Sequence, residues 1–364
     1  MALTGRRDAG PLLAPTRAAT FVRESLAELG LRIPGLLGER AAYAGLSRNG
    51  PWSCGGSFRI LPSSDRPVAV SLSRASDHEL LPALIEGRVR DAWTDVAAWL
   101  RGVSAEEAET RLRLLGLPGG AVATAPPTDR PPALVTELGR RAVSQQPVII
   151  DLTSMWAGPL CAHLLARLGA RVIKVETAGR PDGARIGTPG YFKVLHDGHE
   201  QKTLELDSQT LADLMAGADL VLESSRPRAL TQQGIRAEDY VADGTTWLSI
   251  TARGRASDAV GFGDDVAACA GLVIEDGGEL LPVGDAIADP LSGVAAALAA
   301  VAALQSTRSQ LIDVSMLHVT ADLTIPTPQA RVVSTEAGWV VETDGGPIPV
   351  EEPRLRGGSA SGAG

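Results

Sequence analysis

Cysteine is scarce: Cys54, Cys161 and Cys269 are the three in 364 residues, widely spaced and odd in number. That pattern fits neither a disulfide framework nor a zinc ligand set, and it favours a reducing, cytoplasmic setting. Long apolar runs are missing too. The longest, the Ala-rich stretch 291–304, falls short of the roughly 18 residues needed to cross a bilayer and reads as a buried helix. MALTGRRDAG carries Arg and Asp where a leader would be apolar, so no signal peptide is expected. A net charge of −9 with no basic cluster argues against nucleic acid and leaves a small molecule as the expected partner. Aromatics are only 4%, too few for a cage around a large planar ligand. The order G-x-S-x-G is absent as well, so Ser57 in CGGSF is not a nucleophile elbow, and Gly55-Gly56 reads as a turn.

What is present is an ordinary globular composition, 44% hydrophobic and 21% charged, in a chain long enough for two domains. Thr20, Phe21, Leu26, Leu29 and Leu31 recur at helical spacing. FRILPSSDRPVAVSL, 58–72, reads as two strands around a turn bounded by Pro62 and Pro67. Residues 92–115 give two amphipathic helices; Ser104 and Glu107 form a capping box for the second, and Gly116 ends it. The Pro- and Gly-rich stretch 116–132 reads as a linker.

Beyond residue 147 the rhythm is α/β. PVIIDLT is a strand. A helix follows, with Pro159 placed as its first residue and Gly169 as its C-terminal glycine, and then the strand ARVIKVE. Strand, helix and strand in so short a span make a βαβ unit with parallel pairing. DLVLE (219–223) and WLSIT (247–251) add strands, and GWVVETDGGPIPVE closes as a hairpin around Asp344-Gly345-Gly346. The expected fold class is α/β, a Rossmann-like main domain with a parallel sheet plus a smaller α+β domain. The expected division is an N-terminal region over 1–132, a main domain over 133–356 and a disordered tail over 357–364.

DLTSMWAGPLCAHLLARLGARVIKVE, 151–176, resembles the opening βαβ of the class III (CaiB/BaiF-type) CoA-transferases. The resemblance continues in family order through GRPDGAR (179–185), KTLELDS (202–208), VLESSRPRAL (221–230), LSITARGR (248–255), ADPLSGVAAALAAVAAL (288–304) and LIDVSML (311–317). A collinear series is far more specific than any single motif. Residues 66–72 and 105–122 resemble the family's small domain, placed here ahead of the main domain instead of after it. MALTGRRDAGP resembles the stretch that precedes the family's nucleophile. The chain therefore looks like the back of one copy fused ahead of the front of another. The first copy, APTRAATFVRESLAEL, has no Asp-x-x-x-Gly.

The resemblance implies transfer of CoA from an acyl-CoA to a carboxylic acid, through an aspartyl anhydride and thioester. The family nucleophile is an Asp four residues before a Gly, which Asp289 and Gly293 match. A carboxylate at a helix N-terminus is expected to stay ionised, and small residues after it (Gly293, Ala295, Ala296, Ala297) would admit pantetheine. A plain N-cap is the competing assignment for Asp289, and Asp285 is its nearest rival.

For CoA binding the resemblance points to the turn Trp156, Ala157 and Gly158, and to Arg185, Lys202 and Arg226 for the phosphates. SSRP (224–227) and HDGHEQK (196–202) depart from the family's N-F-R-P and N-R-N-K-R. His196 and His199 are expected in a solvated turn and His163 as a packed or surface residue; no metal site is expected. The resemblance further implies acyl-CoA as substrate with no tightly bound cofactor, no nucleic-acid or membrane partner, and a homodimer, either interlocked as in the family or, given the altered domain order, unlinked. Two other readings stay open. One is an acyl-CoA racemase or isomerase, whose family His is replaced here by Asp264 in GFGDDV; the other is a CoA-ester-binding protein without turnover.

Overall fold

A computed structural model describes residues 1–356 apart from 226, 327, 329 and 344, and gives no side-chain account of 227 and 228. The expected tail at 357–364, Asp344 of the expected hairpin turn and the candidate Arg226 thus lie outside the described residues.

The first sheet is antiparallel, β1 (Phe58–Leu61), β2 (Val68–Ser71) and β3 (Gly119–Ala121), in that order. Helices Ala92–Leu100 and Ala105–Leu115 bury Val96, Leu100, Ala108 and Leu112 against Val68 and Val70, a core of its own. Ser104 caps the second helix, accepting from the Glu107 amide at 3.2 Å, and Gly116 ends it in the left-handed region, as the sequence expects.

Next in the chain come β4 (Ala133–Arg140), β5 (Val148–Asp151), β6 (Arg171–Glu176), β7 (Glu200–Thr203), β8 (Leu220–Glu223) and β9 (Thr246–Thr251). A hairpin of β10 (Val273–Asp276) and β11 (Glu279–Pro282) precedes β12 (Arg308–Ser315). Seven of these strands form one sheet in the order β4-β12-β9-β8-β5-β6-β7, parallel throughout except where β4 meets β12. The α/β reading holds, with the βαβ unit at β5 and β6. The inner strands β5, β6, β8 and β9 are covered on both faces, which is why they read as largely unbroken apolar runs. Ile149, Leu220, Leu248 and Ile312 face helices Ala157–Arg167 and Ala288–Leu304, while Ile150, Val221 and Trp247 face Gln209–Ala216 and Ala237–Ala242. The helix Ala18–Glu28 lays Ala18, Val22 and Leu26 into the first of these cores. A meander of β13 (Arg331–Thr335), β14 (Gly338–Thr343) and β15 (Gly346–Pro349) contains the expected hairpin and adds one strand before it. Among the described residues no helix is long and apolar enough to cross a membrane.

One boundary differs from expectation. The helix after β5 starts at Ala157, so Pro159 is its third residue and not its first. The cause is Gly158: a Cβ there would sit 2.2 Å from the Thr153 side chain, so only glycine lets the chain turn into the helix this early.

Beneath that turn lies a buried cation. Lys174 on β6 is wholly buried, donates to the Thr153 carbonyl, and stands 3.8 Å from Asp151 and 3.5 Å from Asp182. Asp151 orients Thr153 through its amide at 2.9 Å, and Asp182 receives the Met155 amide at 3.0 Å. Lys174 thus gathers the loops on either side of the turn. Lys174→Ala strands two carboxylates in the interior and is expected to cost about 3–5 kcal/mol in urea unfolding. A loss below about 1 kcal/mol would show that the cluster does not hold the loops.

Candidate active site

Asp289 sits in the first turn of the helix Ala288–Leu304, whose N-cap position is Ile287 without any side-chain cap. The capping assignment for Asp289 therefore fails. Its Oδ2 instead accepts from the amide of Gly263, 3.1 Å away at the start of helix Gly263–Cys269. A Cβ at Gly263 would come within 2.4 Å of that oxygen and 2.2 Å of the Ala286 carbonyl, so the contact requires glycine. Among the described residues no hydrogen bond reaches Oδ1, and the side chain is only partly buried.

The small residues after Asp289 have a different task from the one expected of them. Gly293 faces helix Ala157–Arg167, where a Cβ would lie 2.6 Å from the Ala157 carbonyl and 3.1 Å from Leu160. Ala296 and Ala297 are wholly buried in the same core. They let two helices approach closely and leave no channel for pantetheine along that face. The same contact brings Trp156, Ala157 and Gly158 beside the helix Ala288–Leu304.

Around Asp289 stand two more carboxylates and one cation. Asp285 is fully buried and accepts from Arg40 through both oxygens, Nε at 3.0 Å to Oδ2 and Nη2 to Oδ1. Asp264 accepts from the Ala286 amide at 2.9 Å. The Arg40 guanidinium lies 5.2 Å over the Trp156 ring, which meets Tyr191 edge-on at 5.7 Å. Behind them Asp265 receives Ser71 Oγ at 2.8 Å and the Phe262 amide at 3.0 Å. Ala286, between Asp285 and Asp289, has φ 42, and Met155, before Trp156, has φ 72; such backbone strain at non-glycine residues concentrates at functional sites.

Burial dominates the charge state. It pushes Asp289 up to about 7, against the lowering charge of Arg40 and with Asp265 raising it further. Asp264 also goes up to about 7, by burial and then by the charge of Asp285, with Arg40 opposing. Asp265 reaches about 7 by burial, opposed by its bond from Ser71. Asp285 is raised by burial against Arg40. The expectation that a helix N-terminus alone keeps Asp289 ionised is thus corrected: the amides are outweighed, and the acid is poised between its two forms at neutral pH.

The phosphate-binding candidates are elsewhere. Arg185 bonds Glu176 through Nε at 3.0 Å, bonds Gln201 at 2.7 Å, and lies 4.2 Å over the Phe192 ring. With His196, His199 and Gln201 it lines an open groove. Lys202 is exposed on the edge strand β7. So Trp156, Ala157 and Gly158 share the carboxylate cluster, whereas Arg185 and Lys202 do not.

The histidine expectation is overturned. His196 and His199 are buried, their Nδ1 atoms 3.3 Å apart, with Phe192 against His196 at 4.3 Å. Burial lowers both, His196 to about 3, so the pair is neutral. Asp197-Gly198 suggested a wet turn, but Phe192 and Leu195 on the preceding helix carry the segment inward. His163 is buried against Arg356 and is also lowered by burial, in line with a packed role. Among the described residues no group of three His, Cys, Asp or Glu is placed to hold a metal. The three cysteines are buried and free, their thiols raised by burial. Ser315 contacts His318 at 2.7 Å, and His318 contacts Asp129 at 3.0 Å, but Ser315 is fully buried at a helix start.

Arg40 was missed from the sequence. In LLGERAAYAG nothing distinguishes it from a surface cation.

The poised acids have a stability consequence. Asp264 is raised in the fold from 3.8 to about 7, so the fold prefers its protonated form. The stability this carries is complete below about pH 4 and is lost as pH rises toward 7. Asp264→Asn is expected to be more stable than the parent at pH 8 by about 2–4 kcal/mol, with the gap closing near pH 4. Urea midpoints at both pH values measure this, and a gap that does not change with pH would contradict it.

The model of a family described as CoA-transferase family III matches residues 145–342. The chain is 31% identical over 191 residues to succinyl-CoA–D-citramalate CoA-transferase of Chloroflexus aurantiacus, covering 46% of this chain and 48% of that protein. It is 27% identical over 224 residues to human succinyl-CoA:glutarate CoA-transferase, covering 53% and 51%. It thus spans about half the length of the curated relatives it matches. Among solved structures, a hypothetical protein of Mycobacterium tuberculosis aligns with a TM-score of 0.49 and 26% identity, over 57% of this chain and 66% of that one. A CaiB/BaiF family protein of Brucella suis gives 0.49 and 21%, over 56% and 66%.

Proposed function

The chain belongs to CoA-transferase family III, and from that premise we propose that it moves CoA from an acyl-CoA thioester to a carboxylic acid, with Asp289 as the nucleophile. Attack by the ionised carboxylate on the thioester carbonyl forms a mixed anhydride and expels CoA thiolate. The thiolate then attacks the aspartyl carbonyl, releasing the donor acid and leaving CoA on Asp289. An acceptor carboxylate attacks that aspartyl thioester, CoA leaves again, and its attack on the acceptor's acyl carbon returns the free aspartate and a new acyl-CoA. Each step exchanges one acyl bond for another of similar energy, so no ATP is consumed.

The observation that supports Asp289 over its rival is the difference between the two carboxylates. Asp285 is fully buried with both oxygens held by Arg40, whereas Asp289 is partly exposed with Oδ1 unbonded. The Gly263 amide, already on Oδ2, is the donor that would meet the charge developing there when CoA attacks the aspartyl carbonyl. The Trp156, Ala157 and Gly158 turn is the CoA-facing wall in this reading, with Arg185 and Lys202 on the path of its phosphates; the third candidate, Arg226, lies outside the described residues. Under the same proposal no tightly bound cofactor is needed, the protein acts in the cytoplasm as a homodimer, and residues 1–132 form a unit ahead of the main domain. A second reading, proton exchange at the α-carbon of an acyl-CoA, is supported by Asp264, which stands beside Asp289 and is likewise raised to about 7.

The proposal is tested with succinyl-CoA as probe. Mass spectrometry of the Asp289 peptide is expected to show a CoA adduct that hydroxylamine removes. Asp289→Ala is expected to lower transfer at least roughly 10³-fold, with CoA affinity changed less than about twofold. Undiminished transfer in Asp289→Ala would sink the assignment. Solvent deuterium entering the α-carbon with no adduct would favour the second reading.

A further inference from the structure

The cation of the site comes from a distant part of the chain. Arg40 lies in the short helix Glu39–Ala44, in the N-terminal stretch whose own nucleophile position is empty of Asp. Its neighbours fix it on three sides. Glu39 is held by Arg356, with Nη1 of that arginine on His163 and Nη2 on Glu39 at 2.9 Å. Pro353 lies 3.4 Å from where a Cβ of Gly38 would stand. Trp156 lies under the guanidinium face. With the plane of the guanidinium set by Trp156, its nitrogens meet Asp285 and no other carboxylate among the described residues.

We propose that Arg40 is the positioning residue of this cluster: it commits its hydrogen bonds to Asp285 and offers Asp289 only its charge, so that Oδ1 of Asp289 stays free to react while Oδ2 is held by the Gly263 amide. This rests on the reading of Asp289 as nucleophile. The arrangement resolves a conflict built into the site. A nucleophilic carboxylate needs a nearby cation to be ionised, but a cation that grips it with two hydrogen bonds blocks the lone pairs that must attack. Asp285 resolves this by occupying the fork of the guanidinium. The groups facing Asp289 are Arg40 from helix Glu39–Ala44, Asp264 and Asp265 from helix Gly263–Cys269, and Asp285 from the turn before its own helix, with the neutral Cys54 thiol close to Asp285. Arg40 is the single cation among them.

Two substitutions move the titration of Asp289 in opposite directions, which loss of packing would not do. Arg40→Gln removes the cation. Asp285→Asn removes a like charge and also frees the guanidinium to turn to Asp289. Protein labelled with ¹³C at the aspartate carboxyl carbons is titrated by NMR, and the signal absent in Asp289→Asn identifies Asp289. The parent midpoint is expected near the value of about 7 set by burial. Arg40→Gln is expected to raise it by about one pH unit or more, Arg40→Lys to restore most of the difference, and Asp285→Asn to lower it by about one. An unchanged midpoint in Arg40→Gln, or a rise in Asp285→Asn, overturns the proposal. If Arg40→Gln fails to fold, Arg40→Lys and Asp285→Asn decide it. No substrate is used, so the result separates from the test with succinyl-CoA: a shifted midpoint without an adduct keeps the positioning role and removes the CoA reading.

Discussion

Arg40 and Asp285 meet across 245 residues of chain, and most of the local architecture serves that meeting. A carboxylate as deeply buried as Asp285 is tolerated only with a partner that offers both charge and well-aligned donors. Arg40 supplies both through two nitrogens. Holding it there takes the strap at Pro353–Arg356, the Glu39 pair and the face of Trp156. The N-terminal helix Ala18–Glu28, packed in the same core as the helix Ala288–Leu304, carries the segment to within reach.

The second constraint is the closeness of two helices. Gly293 against the Ala157 carbonyl leaves no room for a side chain, and Gly263 against Asp289 leaves none either. These contacts set the depth at which Asp289 lies and hence its charge. The helix N-terminus favours the anion, as does Arg40, but removal from water disfavours it more. The result is a carboxylic acid that releases its proton near neutrality. Strained backbone stands at Ala286, three residues before this acid, and at Met155, just before the Trp156 turn.

Much of the fold was legible locally. The apolar runs at β5, β6, β8 and β9 and the Ser104 cap are patterns within a dozen residues, and each appears where expected, while the helix between the first two strands starts two residues early. β4 was not legible: its residues 133–140 are largely exposed on both faces, so no alternation marks them, and its existence depends on the edge offered by β12. Of the site, Asp289 and the turn at Trp156 were visible from motif and spacing. The failures share a cause. The burial of His196 and His199, the helix-packing use of Gly293 and the choice of Arg40 all depend on what lies across the fold, and no window of sequence contains it.

The sequence by itself determined the parallel α/β frame, the family motifs in their order and the residue types available for acyl chemistry, because these follow from periodicity and side-chain identity along the chain. Tertiary structure alone decided which of Asp264, Asp285 and Asp289 is gripped, which is left open, and at what pH each gives up its proton. Those properties are set by distance to one guanidinium and by exclusion of water, and both come into being only when the two ends of the chain pack together.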